Sequence, residues 1–249
     1  MKVVGVIPAR YASTRLPAKP LHPIAGKPLV QWVWEAASRA QTLNELVVAT
    51  DDERIAATAR GFGAEVAMTP AECPSGTDRV AAALEGREAD IAVNIQGDEP
   101  LMPAENIDAC VRALLSQPDA AVSTPMVPLN HAADLEAPHV VKVVTDSRGW
   151  ALYFSRSPIP NRSRLTPEET AATRPLAMKH LGLYVYRRDA LKAFVAMKPS
   201  RYELIEKLEQ LRFLEAGYRI LMVPVTGDSI GVDTPEDAEA VERMLAARG

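Results

Sequence analysis

KVVGVIPARYASTRLPAKP, residues 2–20, decides how the rest of the chain is read. The apolar run that closes at Ile7 has the length and β-branched content of a buried strand. It opens into a loop-like segment carrying Arg10, Arg15 and Lys19 within ten residues, with no acid between them. Open α/β sheets bind ligands beyond the carboxyl ends of their strands, so a strand ending at Pro8 sets these three cations at a ligand crevice. The loop suits a strongly anionic group. Pro8, Pro17 and Pro20 stiffen it, as preorganisation requires and a merely solvated basic loop does not.

Further short apolar runs occur at Leu46–Ala49, Glu65–Met68, Ile91–Ile95 and Ala120–Thr124, with helical patterns in most of the gaps. Leu29, Val30, Val33, Trp34 and Ala37 share one helical face, as do Ile55, Ala56 and Ala59 after the polar start Asp51-Asp52. This alternation predicts βαβ units and an α/β fold with helices on both faces of a mostly parallel central sheet. The second half is less regular and predicts a mixed sheet. Val140–Val144 and Trp150–Phe154 flank the turn Asp146-Ser147-Arg148-Gly149, a hairpin pattern. The polar stretch Ser155–Pro175, with Arg156, Arg162, Arg164 and Arg174, reads as a lid, an interface arm or a long loop. Met178–Tyr186 reads as one strand. Ser200 and Glu203 form a capping box opening a helix that ends near Gly217, and a strand at Arg219–Val225 and a helix from Pro235 follow. No architectural repeat is present.

The 249 residues are 47% hydrophobic and 24% charged, the balance of a globular protein with a substantial core. A net charge of -4 argues against a protein that coats nucleic acid, which makes the basic loop a local feature. Cys73 and Cys110 lack metal-ligand spacing and read as reduced thiols, with a disulfide as the alternative. No leader-like apolar segment and no run of roughly 18 apolar residues occurs, so the expectation is a cytoplasmic protein without membrane insertion.

Neither G-x-G-x-x-G nor G-x-x-x-x-G-K-[ST] is present, so phosphate must be gripped by side chains. Arg10 and Arg15 offer planar forks, and Lys19 a compact charge. In VNIQGDEP, residues 93–100, an apolar run ends in Gln96, Gly97, Asp98 and Glu99. Asp98 facing a basic loop and a phosphate chain makes electrostatic sense with magnesium between them; alone, the segment is an Asp-Glu-Pro turn. In GVDTPEDA, residues 231–238, Asp233 or Thr234 caps a helix. The period of two in HLGLYVY puts His180, Gly182 and Tyr184 on one face and Leu181, Leu183 and Val185 on the other. A single His on a strand is by itself structural. In the helix Arg201–Ala216, Leu204, Leu208 and Leu211 make a core stripe that leaves Glu209 and Gln210 to solvent. SGTDRVAAAL, residues 75–84, starts a helix capped by Ser75 or Thr77, with Arg79 in a first turn that disfavours cations and so hints at an anionic partner.

In order, PARYASTRLPAKPL, ATDDERI, SGTDR, VNIQGDEP, ALYFSRSPIP, KHLGLYVYR, LEQLR and GVDTPEDA resemble the 3-deoxy-manno-octulosonate cytidylyltransferase family, from Val4 to about Ala238. The first motif alone marks only the wider nucleotidyltransferase superfamily. Two departures are Ala18, where the family has Gly and a different loop backbone is expected here, and Asp78, where Glu is common. The resemblance implies a three-layer Rossmann-like nucleotide-diphospho-sugar transferase fold. It also implies a single domain over 1–249, with a nucleotide-binding half at 1–127 and a sugar-binding and dimerisation half at 128–249. The reaction it implies joins CTP to the acidic sugar 3-deoxy-manno-octulosonate (Kdo), releasing pyrophosphate and yielding CMP-Kdo for lipopolysaccharide assembly. Transfer of CMP to another acidic sugar, such as 8-amino-Kdo or a sialic acid, and a non-catalytic nucleotide-binding regulator are the alternatives. Residue by residue, Arg10, Arg15, Lys19, Asp98 and Asp233 match the catalytic set, with Mg2+ on Asp98 and Asp233. Pro8, Ala9, Arg10, Ser13, Arg15, Lys19, Ser75, Gly76 and Arg79 match nucleotide-binding positions. Arg79, Gln96, Arg156, His180, Tyr184, Glu209 and Gln210 match positions around the sugar, His180 as a ligand and not as a proton shuttle. A homodimer with its interface in 128–175 is likewise implied.

Overall fold

The computed structural model describes residues 1–12, 16–129 and 131–246. Strand β1, Val3–Ala9, is buried at every position except Pro8, as a strand covered on both faces must be. Two short strands, β2 (Pro23–Ile24) and β3 (Lys27–Pro28), pair with each other and lead into helix α1, Leu29–Ala37. Next come β4 (Glu45–Thr50), α2 (Glu53–Gly61), β5 (Glu65–Met68), α3 (Gly76–Ala83) and β6 (Ile91–Ile95). Strands β5, β4, β1 and β6 lie side by side in that order, all parallel. Helix α4, Ala104–Ser116, leads to β7, Val122–Leu129. The strand runs five residues past the expected end at Thr124. Pro125 and Pro128 cannot donate, yet the Pro125 carbonyl accepts the Leu181 N–H at 3.1 Å and Pro128 pairs with Met178.

After helix α5, Ala132–Glu136, the expected hairpin forms from β8, Lys142–Thr145, and β9, Ala151–Ser155. The Asp146 carboxylate accepts the Arg148 and Trp150 N–H groups at 2.8 and 3.0 Å, which fixes the turn. The polar stretch beyond it holds helix α6, Pro167–Ala172, started by a Thr166–Glu169 capping box, with Arg162 donating to the carbonyls of Thr170, Thr173 and Leu176. The single strand expected over 178–186 is two, β10 (Ala177–His180) and β11 (Leu183–Arg187), broken where the Leu183 N–H bonds the Leu181 carbonyl. β11 lies antiparallel between β6 and β7, and β10 between β7 and β8. Helix α7, Arg188–Ala196, then α8, Arg201–Glu206, and α9, Leu211–Glu215, replace the one long helix expected at 201–216. Lys207, in the left-handed conformation at φ 55°, ends α8. The break leaves Leu204 53% exposed instead of in the core, and swings Glu209 and Gln210 inward. Strand β12, Ile220–Pro224, runs parallel to β7, and helix α10, Pro235–Ala246, follows.

The result is a ten-stranded mixed sheet between two helical layers. Ile7, Val48 and Val93 pack under α1, α2 and α4, while Val4, Val6 and Ala92 pack under α3, α7 and α9. A boundary at 127/128 falls inside β7, so the two halves share one sheet. Cys73 and Cys110 are free and buried. Among the described residues no helix is long and apolar enough to cross a membrane.

Candidate functional site

At the carboxyl edge of β6 the fold leaves a cavity of about 820 Å³, within the size range of small-ligand sites, with Asp98 and Asp233 in its lining. Its most charged wall is set by three distant segments. Lys19 opens a 3-10 turn after Ala18, and its Nζ donates to Asp98 Oδ2 at 2.6 Å and Asp233 Oδ1 at 3.0 Å. Ala18 itself adopts φ 53° and ψ 33°, so the loop keeps a left-handed residue and the alanine carries a strain of about 1 kcal/mol, in place of the altered backbone expected. Asp98 sits on the turn after β6, which presses against β1: a Cβ on Gly97 would stand 2.6 Å from the Pro8 carbonyl oxygen. The Asp98 carbonyl accepts the Val232 N–H at 2.8 Å, tying this turn to the segment that bears Asp233. Thr234, not Asp233, caps α10, through reciprocal bonds with Asp237. The Asp233 carboxylate is thereby aimed at Lys19.

Burial alone would lower the Lys19 pKa, but Asp98 and Asp233 outweigh it and hold the ammonium above its ordinary value. Two carboxylates therefore converge on one cation. Among the described residues no group of three or more His, Cys, Asp or Glu is placed to hold a metal ion; Asp98 and Asp233 are a pair of hard oxygen donors, of the kind Mg2+ takes when phosphate and water complete its shell. The donor set fits that ion.

The opposite wall is polar and aromatic. His180, Tyr184, Glu209 and Gln210 line it together with Gln96 and Thr77. Leu183 and Val185 point the other way, into the core, as the period of two requires, while Leu181 belongs to that core and also borders the cavity. Burial pushes the His180 pKa down to about 3, so the ring is neutral at physiological pH. The Tyr184 hydroxyl donates to Gln210 Oε1 at 3.2 Å, and Thr77 donates to Glu209 Oε2 at 2.8 Å. Burial raises the Glu209 carboxyl above its usual range.

Several expected site residues have other surroundings. Arg79 is fully buried on α3, donating to Thr69 Oγ1 at 2.6 Å and paired with Asp51 at 2.9 Å, so the anion its position called for is an internal carboxylate. Ser75 is the N-cap of α3 and its hydroxyl bonds Asp78 Oδ2 at 2.6 Å, while Gly76 reaches the cavity. The Arg156 guanidinium is tied to the carbonyls of Glu206, Lys207 and Pro138 and does not line the cavity. Arg10 is exposed, Pro8 half-buried and Ala9 buried. Ser13 and Arg15 lie outside the described residues. Sequence reasoning passed over Glu99, whose carboxylate accepts the Gly182 N–H at 3.1 Å where no Cβ would fit, and whose pKa burial and then Asp98 raise to about 7. Its place beside Asp98 was the available signal. Asn94, a polar residue within the buried run Ile91–Ile95, also lines the cavity.

The cytidylyltransferase family profile matches residues 4–220. A 3-deoxy-manno-octulosonate cytidylyltransferase of Geobacter metallireducens is 50% identical over 250 residues, covering 99% of this chain and 98% of its own. That of Bdellovibrio bacteriovorus is 44% identical over 249 residues, covering 100% of both. A solved structure of CMP:2-keto-3-deoxy-manno-octonic acid synthetase complexed with CTP superposes with a TM-score of 0.92 at 40% identity, covering 100% of both chains. A cytidylyltransferase from Leptospira borgpetersenii, at TM-score 0.65 and 19% identity over 99% of this chain and 87% of its own, shares the fold.

Proposed function

The chain belongs to the cytidylyltransferase family, on its 3-deoxy-manno-octulosonate branch, and from that premise we infer that the charged wall of the cavity takes the CTP triphosphate and the aromatic wall takes Kdo. The enzyme transfers CMP from CTP to Kdo, giving CMP-Kdo and pyrophosphate. The observation that carries the site assignment is the single ammonium, Lys19 Nζ, shared by Asp98 and Asp233 at the ligand-binding edge of the sheet.

In the reaction the anomeric hydroxyl oxygen of the sugar forms a bond to the α-phosphorus as the bond to the β-phosphate oxygen breaks and pyrophosphate departs. The protein's share is positioning and charge stabilisation. Lys19 and Arg10 supply positive charge to the phosphate oxygens, with Arg15 by resemblance, and Pro8 and Ala9 with Ser75 and Gly76 border the nucleotide. Asp98 and Asp233 would hold Mg2+, which when bound neutralises phosphate charge and acidifies the attacking hydroxyl. Gln96, Tyr184, Glu209 and Gln210 meet the sugar through hydrogen bonds, and His180, being neutral, serves as a ligand and not as a proton shuttle. By resemblance Arg156 also belongs to the sugar side, its guanidinium being held beside the cavity by the carbonyls of Glu206, Lys207 and Pro138.

The partner we propose is a second copy of this chain. Leu152 on β9 and Ile205 and Tyr202 on α8 are 61%, 65% and 43% exposed, large apolar side chains whose burial against a second copy supports a homodimer. We place the enzyme in the cytoplasm, where CTP is made. A coupled pyrophosphate assay with CTP, Kdo and Mg2+ tests the function: stoichiometric pyrophosphate is expected, and none would reject it.

A further inference from the structure

Thr124, on β7, is sealed from solvent, and its Oγ1 lies 2.6 Å from the Leu183 carbonyl oxygen, 3.5 Å from that of Leu181 and 2.8 Å from His180 Nε2. A hydroxyl has one proton, and a carbonyl oxygen can only accept. If Thr124 turned that proton to His180, two oxygens with lone pairs would face each other at 2.6 Å in a buried site. The Thr124 O–H therefore goes to Leu183, and the bond to His180 exists only if Nε2 carries the proton. Burial keeps the ring from taking a second one. Nδ1 is then a bare lone pair. It makes no hydrogen bond within the described residues, and His180 lines the cavity. The ring's aromatic neighbours, Phe154 at 5.0 Å and Tyr184 at 5.4 Å, do not supply a proton, since Tyr184 spends its own on Gln210.

We propose that Thr124 is a positioning residue of the sugar pocket: it fixes His180 as the Nε2–H tautomer and leaves Nδ1 as an acceptor that a hydroxyl of the sugar must satisfy. Gln210 has the opposite polarity. Its Oε1 already accepts from Tyr184 while its Nε2 is buried without a partner, so the unmet need at Gln210 is that of a donor. An acceptor and a donor on one wall match hydroxyl groups, which do both, whereas a carboxylate would meet the Nδ1 lone pair with repulsion. The sugar thus turns its hydroxyls, not its carboxylate, toward His180. This pocket role rests on the assignment of the aromatic wall to Kdo; the tautomer does not.

The test pairs a spectrum with kinetics. Long-range 1H–15N correlation of the full-length enzyme near pH 7 reads the state of each of its four histidines, and His180 is assigned by the signal lost in His180→Gln. The expected pattern is a protonated Nε2 and a lone-pair Nδ1. Thr124→Val, equal in shape but without the hydroxyl, should disturb that pattern and raise KM for Kdo about 5- to 10-fold, the loss of roughly one hydrogen bond, while KM for CTP stays put. Thr124→Ser should restore both. A wild-type Nδ1–H tautomer, an imidazolium, or a pattern unchanged in Thr124→Val overturns the proposal. The expected tautomer with an unmoved KM for Kdo overturns the assignment of this wall to the sugar and leaves the tautomer standing. Should Thr124→Val fail to fold, the wild-type spectrum and Thr124→Ser still decide.

Discussion

Replacing Lys19 with Ala should move two measurable quantities in opposite directions. In the substrate-free protein the ammonium sits 2.6 Å from Asp98 and 3.0 Å from Asp233, with its side chain 18% exposed, so it acts as a resident cation between two carboxylates. Catalysis needs that charge on the phosphates, and loss of one preorganised stabilising donor costs about 2.7–4 kcal/mol, or 10²- to 10³-fold in rate. Pyrophosphate release at saturating CTP and Kdo measures it. The same substitution removes the competitor for the two carboxylates, so Mg2+ titrated calorimetrically into the substrate-free enzyme should bind more tightly than to wild type. A rate loss below about threefold refutes the catalytic placement of Lys19. Weaker or unchanged Mg2+ binding refutes a competition between Lys19 and the metal for these carboxylates.

Three more outcomes follow from the geometry. The folded His180 pKa near 3 lies below the ordinary 6.5, so the unfolded chain binds the proton first and stability falls as pH drops from about 6.5 toward 3, by about 1.4 kcal/mol per unit; urea midpoints should show a shallower acid decline in His180→Gln, and parallel declines would contradict the burial. Ala18→Gly relieves a left-handed alanine and, after the entropy cost of glycine, should stabilise the fold by up to about 0.5 kcal/mol, read from denaturant midpoints, with clear destabilisation as the contrary result. Lys142 is fully buried and donates to the carbonyls of Ala137, Val140 and Arg156; Lys142→Met strands those oxygens and should cost about 2–3 kcal/mol in stability while raising KM for Kdo more than KM for CTP, since the Arg156 segment loses its tether, and an unaltered Tm would rule this out.

The parallel half of the sheet was legible because strands covered on both faces read as apolar runs, and because charged residues just past such runs mark the ligand edge. Lys19 and Asp98 follow such runs, whereas Asp233 read locally as a helix start and entered the site only through the resemblance; the three meet across more than 200 residues. The break between α8 and α9 was not legible, since Lys207 takes a left-handed conformation with no Gly or Pro to announce it. That break decides the fate of Glu209 and Gln210, which helical periodicity assigned to solvent. Arg79 called for an anion in its first-turn position, but nothing local said that the anion was Asp51, brought near from the end of β4. The bend at Gly182 was hidden by an unbroken alternation of faces, which the turn at Leu181 preserves.

The central claim is that Asp98 and Asp233 join the cationic loop in holding a metal-complexed triphosphate. Equilibrium binding of CTP with and without Mg2+, in wild type and in the Asp98→Asn, Asp233→Asn double variant, tests it most directly. Mg2+ should tighten CTP binding to the wild type by at least about tenfold and have little effect on a folded double variant. An equal Mg2+ effect in both proteins would contradict the account.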